Sequence, residues 1–294
     1  MRVQCVVLLV AAAAACVSGA AVGKSTPEPI ITGLDYHELY GIPTATRIRQ
    51  AEQGQDFDGN RIFGGSAAGV GAHPHLGGLI VTLHDNRQSV CGSSLLTNTR
   101  SVTAAHCWII GNAPARTITI VFGSNRLFSG GVRHNTNSII THASYNPNNL
   151  NNDVAIINHN WVTYTTTVNR ILLPPGSNSY ANVWAVAAGF GREGPNTPIG
   201  QNQGKNHANM FVITNGQCAN VFGGVIIGST ICATGSGNAS ICPGDSGGPL
   251  SIGSGNNRQL IGISSFVSVR GCNLGLPGGF ARVTSFRTWI QQRI

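Results

Sequence analysis

The 294-residue chain is short of charge. Asp, Glu, Lys and Arg make up 10% of it, and only ten residues are acidic. Lysine is nearly missing, with only Lys24 and Lys205. The net charge of +8 invites a nucleic-acid reading, but the arginines are scattered singly, with no basic run and no interleaved aromatics. The clustered footprint that nucleic-acid binding needs is therefore missing. No C-x-x-C or H-x-x-x-H pair occurs, which argues against a zinc centre, and no metal or other cofactor is expected. No repeat with a period of 20 to 50 residues is present. After the first twenty residues, no segment is apolar over the roughly 20 residues that span a bilayer, so no membrane partner is expected.

What is present begins with "MRVQCVVLLVAAAAACVSGA". One basic residue, a short apolar run and small residues at Ser18 and Ala20 read as a secretory signal, residues 1–20, removed after Ala20. Cys5 and Cys16 leave with it. Cys91, Cys107, Cys218, Cys232, Cys242 and Cys272 remain, an even set in an oxidising compartment, which implies three disulfides. Spacing alone leaves 15 pairings open.

Residues 21–61 have a different texture. They hold six of the ten acids (Glu28, Asp35, Glu38, Glu52, Asp56 and Asp58), no cysteine and few apolar clusters, and read as a detachable, poorly packed segment. After Arg61 the pattern becomes β: "HLGGLIVTLH", "TITIVFGS", "DVAIINHN", "VWAVAAGFG", "NMFVIT" and "LIGISSFV" alternate with Gly, Asn, Ser and Pro turns. "RILLPPGSN", residues 170–178, reads as a connector between two halves. Only the end reads as helix, with Thr284 or Ser285 capping "FRTWIQQRI".

Serine-based hydrolysis needs a base, a group that orients the base, and donors for the developing oxyanion. Candidates occur in the order His106 in "TAAHCW", Asp153 in "NNDVAII" and Ser246 in "GDSGGP". Each alone is ordinary; a lone D-S-G is most often a surface turn. Together, downstream of "RIFGG", they form a constellation in one of the known triad orders.

On these motifs the sequence resembles the chymotrypsin-like serine peptidases from Ile62 to Ile294, and insect midgut chymotrypsins in particular. The resemblance implies an all-β fold of two packed six-stranded antiparallel barrels, 62–170 and 171–294, with a C-terminal helix. It implies His106 as base, Asp153 as its partner and Ser246 as nucleophile. The backbone N–H groups of Gly244 and Ser246 would form the oxyanion hole, and Ser265 would bond to Asp153. The implied disulfides are Cys91–Cys107, Cys218–Cys232 and Cys242–Cys272. Residues 21–61 become an activation propeptide cut after Arg61. The freed Ile62 ammonium then pairs with Asp245, since a buried carboxylate needs a partner. Without a cysteine to tether it, the cut propeptide should be lost. Implied partners are protein or peptide substrates, an Arg-specific activating protease and protein protease inhibitors.

Several positions depart from the family pattern. Phe63 stands for a usual Val and Ser93 for a Gly. Ser89 stands where some relatives carry a histidine that holds the zymogen inactive, so the resemblance does not say what keeps this chain off. No acid lies between Asp85 and Asp153, so no calcium site is expected.

Ser240, six residues before Ser246, is the implied pocket base, where a trypsin-like enzyme needs Asp. Ile241, Phe266, Val267 and an open Gly278 complete the expected pocket. That set favours cleavage after large or medium apolar residues, with an elastase-like or collagenolytic preference for smaller ones as the alternative. A catalytically dead homologue acting as a binding protein is the rival class, but the triad is intact. Asn238 begins a glycosylation sequon whose occupancy is not expected. From Ile62 onward there are twelve arginines and one lysine. Arginine keeps its charge far above the lysine range, which favours an alkaline extracellular fluid such as a gut lumen and a digestive role.

Overall fold

A computed structural model describes residues 26–53, 66–191 and 204–294. Two antiparallel sheets dominate it. In the C-terminal half, the strands Trp184–Gly189, Asn206–Ile213, Thr230–Gly235, Gly278–Arg282, Gln259–Phe266 and Pro249–Ile252 close into a six-stranded ring. A short strand, Ser66–Ala67, adds to its outside along His207 and Asn206. In the N-terminal half, seven strands run in the order Val132–Thr136, Thr117–Phe122, Leu76–Thr82, Gln88–Thr97, Arg100–Thr103, Ala155–Asn158 and Ile139–Thr141. Where a second closed barrel is expected, this sheet is a curled half-barrel among the described residues. All six apolar runs quoted above contain strands.

Alternation explains the core. In Thr117–Phe122, Ile118, Ile120 and Phe122 are fully buried while Thr117 and Thr119 are half-buried, the period-2 pattern of a strand with one face inward. These side chains join Leu79, Val81, Leu95 and Ile156 in the main apolar cluster, which continues into Met210, Ile231, Leu260 and Phe280 of the other half. Ser93 is tolerated in this core because its hydroxyl donates to the Gly77 carbonyl at 3.0 Å. Three disulfides are formed, Cys91–Cys107, Cys218–Cys232 and Cys242–Cys272, the pairs that the resemblance implies. Ile171 N–H donates to Leu95 O and Leu172 N–H to Arg258 O.

Three helices are present among the described residues, besides single 3-10 and π turns. Helix α1, Ile42–Gln53, continues a π-helical turn, Tyr36–Gly41. Helix α2, Asn215–Phe222, starts at a capping box in which Thr214 and Gln217 satisfy each other's backbone N–H groups. Helix α3, Val283–Gln291, is the expected terminal helix, but it begins at Val283 after Arg282 with no side-chain cap. Thr284 instead donates its hydroxyl to the Asn178 carbonyl. None of the described helices is long and apolar enough to cross a membrane.

The largest departure from the sequence reading concerns residues 26–53, which are packed. Ile31 and Tyr36 belong to the main cluster. Ala45 and Ile48 share a second one with Leu76, Ile80, Val90 and Leu127, and Ile30 shares a third with Leu150, Phe222 and Phe266. The segment has too few apolar residues to make a core of its own. The few it has, spaced 45 and 48 along one face of α1, are spent on the body.

Candidate active site

His106 lies in a 3-10 turn, Ala105–Cys107, pinned to the sheet by the Cys91–Cys107 bond. Asp153 lies just before the strand Ala155–Asn158, fully buried beside it. Its Oδ2 is 2.8 Å from His106 Nδ1, and its Oδ1 accepts from His106 N–H at 2.9 Å. Ser265, from the opposite half, donates its hydroxyl to Asp153 Oδ2 at 2.6 Å. Three donors on two oxygens fix the carboxylate, and bonding at Nδ1 directs Nε2 of the imidazole away from Asp153.

Ser246 comes from the C-terminal half, on the turn before Pro249–Ile252. Its carbonyl accepts from Gly92 N–H at 2.6 Å, and Cys107 Sγ lies 3.5 Å from the same oxygen. The seam between the halves thus brings the serine turn against the His106 loop. Gly244 has φ +107°, a conformation that a side chain would strain, and this turns its N–H toward the cleft, where it donates to Tyr36 Oη at 3.2 Å.

Asp245 points the other way. Its carboxylate accepts from Cys242 N–H at 2.9 Å and Gly191 N–H at 2.8 Å, and burial pushes it up to about 6. Arg61 and Ile62, the expected activation residues, lie outside the described residues, as does Phe63; of the Asn238 side chain nothing is described.

The pocket beside Ser246 is lined by Ile241, Cys242, Pro243, Ser265, Phe266 and Val267, together with Ile31 and Tyr36 of the N-terminal segment. With those two in place about 20 Å³ of free space remains, room for about one water. Two expectations are corrected here. Gly278 is not open: a Cβ there would lie 2.8 Å from Ile241 Cγ1, so Ile241 covers it. Ser240 lines a separate crevice with Gly189, Gly191 and Asp245, behind the Ile241 side chain.

Among the described residues, one group with metal-ligating side chains stands out: Cys91, His106 and Cys107. Both sulfurs are in a disulfide, so no thiolate is available to a metal.

Sequence reasoning missed Ile31, Tyr36 and His37. Tyr36 is 3% exposed, with its ring edge-on to His106 at a centroid distance of 4.7 Å. His37 is buried between the Ser89 hydroxyl and the His106 carbonyl. The one available signal was charge, the acids gathered before Arg61 in a chain that has few.

A model of the family described as Trypsin matches residues 62–290. A protein named Collagenase, from Hypoderma lineatum, is 40% identical over 236 residues, covering 79% of this chain and 86% of that protein. Serine protease 1 of Drosophila melanogaster is 34% identical over 242 residues, covering 81% of this chain and 86% of the relative. A solved structure of HL collagenase matches with a TM-score of 0.69 and 38% identity, over 81% of this chain and 97% of that one. The chain belongs to the trypsin family and is a chymotrypsin-like serine endopeptidase.

Proposed function

We propose that the protein is a secreted digestive endopeptidase, made as a zymogen and activated by cleavage after Arg61 and loss of the segment before it, that cuts after medium-sized and small apolar residues. Ser246 Oγ attacks the scissile carbonyl and His106 takes its proton, then returns it to the leaving amine. Asp153 holds the imidazole in the tautomer this requires. The N–H groups of Gly244 and Ser246 receive the oxyanion. The raised carboxyl of Asp245 supports the activation step. A buried acid held mainly by two backbone N–H groups gains from an incoming ammonium, and the Ile62 amine is the one that cleavage supplies.

Pocket shape carries the specificity reading. Ile241 against Gly278 and Val267 at the rim leave a shallow apolar slot with no lining carboxylate among the described residues. Of the large and medium apolar residues first expected, the large aromatics fit it less well than Leu, and Val or Ala also fit. Similarity to a protein named Collagenase supports the same preference. The alkaline reading gains from Lys205, whose side chain is buried and held down to about 8 by that burial. The exposed cations of the described body are thus all arginine. Digestion of a peptide library varied at P1 by the cleaved enzyme is the test. Preference for Leu, Val or Ala is expected, and preference for Lys or Arg overturns the pocket reading.

A further inference from the structure

Residues 29–31 pair with the wall of the pocket. Ile31 N–H donates to Val267 O at 2.9 Å, Val269 N–H donates to Pro29 O at 3.1 Å, and Ile30 bridges Ser268 in antiparallel fashion. The chain then leaves the cleft floor in a compact turn. Gly33 N–H donates to Pro147 O, Tyr36 N–H to Thr32 O, and the Thr32 hydroxyl to Asp35 Oδ2. It returns with the Tyr36 side chain. The phenol donates to Val90 O at 2.7 Å and accepts from Gly244 N–H at 3.2 Å, in the pocket that Ser246 also lines.

We infer that residues 26–53 are an inhibitor built into the chain, seating the Tyr36 hydroxyl in the oxyanion hole, and that this segment still binds the cleft after it has been cut free. The inference rests on the peptidase reading above. Three observations support it. The oxygen in the hole is bonded to a ring carbon, so no acyl carbon lies where Ser246 could attack it. Tyr36 lines the same pocket as Ser246 and sets its ring edge-on to His106 at 4.7 Å, so it stands against both the nucleophile and the base. His37 fills the space beside Ser89, the position at which the family histidine is missing.

The segment's acids add side-chain contacts to this backbone pairing. Glu38 pairs with Arg87 at 2.6 Å, and Glu28 pairs with Arg270. Glu52 accepts from the backbone N–H groups of Leu127 and Phe128 and from the Ser129 hydroxyl. Three of the segment's acids therefore bind a body that is otherwise basic. These contacts lie along the whole length of the segment and none depends on the link through Arg61, so cutting that link leaves them in place.

The test starts from the full chain cleaved after Arg61 and freed of its segment by gel filtration at about pH 4. A synthetic peptide of residues 26–53 is then titrated back at neutral pH against a small chromogenic substrate. Competitive inhibition is expected, with the peptide recovered intact by mass spectrometry. The Tyr36→Phe peptide should inhibit about 10- to 100-fold more weakly, because Gly244 N–H and Val90 O lose their partner. No inhibition of an enzyme that turns over, or cleavage between residues 31 and 37, overturns the inference. Equal inhibition by the Tyr and Phe peptides overturns the oxyanion-hole assignment. If the cleaved chain does not turn over, the peptidase reading fails, and calorimetric binding of the two peptides to that chain still decides the inference by the same ratio.

Discussion

The two parts of this molecule that meet in the cleft are held by different means. The body, 66–191 and 204–294, closes on a continuous apolar core and three disulfides. The segment, 26–53, has no disulfide. It adds a few apolar anchors to the body's clusters and main-chain bonds over residues 28–33, and its side-chain polar contacts run mainly through carboxylates, a buried histidine and a phenol. Burial of the body's core is insensitive to pH and salt, whereas ionisable contacts are not. The difference makes one part permanent and the other releasable.

The largest effect separates the parts by chemistry. Ser246→Ala should lower kcat of the cleaved enzyme by about 10⁶-fold, and Asp153→Asn by about 10⁴-fold, while leaving binding of the 26–53 peptide within about tenfold. Stopped-flow turnover and calorimetry on the same samples check both halves of that statement.

The next effect separates them by pH. Burial first, and the charge that His106 can carry second, hold His37 down to about 4 from 6.5; the bond to the His106 carbonyl and the Glu38 carboxylate act the other way. A base depressed in the bound form must lose its proton to bind. Its contribution is therefore present above pH 6.5 and is lost as pH falls toward 4. Glu52 opposes this, because burial raises its carboxyl and its protonation favours the packed form, but only near and above 4.5. Affinity of the peptide should fall by about two orders of magnitude between pH 7 and 4, while near-ultraviolet dichroism of the body stays unchanged. Equal affinity at both ends of that range removes His37 from the account.

A third variant alters the wall that the parts share. Val267→Gly should shift the P1 preference of the cleaved enzyme toward larger residues by about 10- to 200-fold. It should leave the Ile31 backbone bond in place, since the main-chain carbonyl makes it. The specificity ratio kcat/KM for Phe over Ala substrates measures the shift. Smallest of all is Glu38→Gln. The Glu38–Arg87 pair is about half exposed on both sides, so peptide affinity should drop less than about fivefold, and less still in high salt.

How much of this could be read from the chain varied with the range of the interactions involved. Strands such as Thr117–Phe122 were legible because period-2 alternation is local. His106, Asp153 and Ser246 were legible because each sits in a short motif. Helix α2 carries a local sign, Thr214 and Gln217 three apart. Helix α1 was harder. Pro43 suits a helix start, but α1 buries little beyond Thr44, Ala45, Ile48, Ala51 and Glu52, and its helicity depends on the surface that receives it. Gly278 was not legible as covered because Ile241, which covers it, is a loop residue distant in sequence from that strand. Nothing local marks Tyr36 as an oxyanion-hole ligand. That role exists only where Val90, Gly244 and Ser246 converge, from both halves of the body.

The position of the segment in the chain also sets a timetable. Glu38, His37, α1 and Glu52 contact residues 87–89, 106 and 127–129, all in the first half to leave the ribosome. Gly244 and Ser246 follow more than a hundred residues later, an interval of roughly ten seconds at common rates of synthesis. The wall that carries the base can therefore acquire its cover before the nucleophile has been made. For a cell that manufactures a peptidase among its own proteins, the safeguard is in place at birth and needs no second molecule to arrive in time.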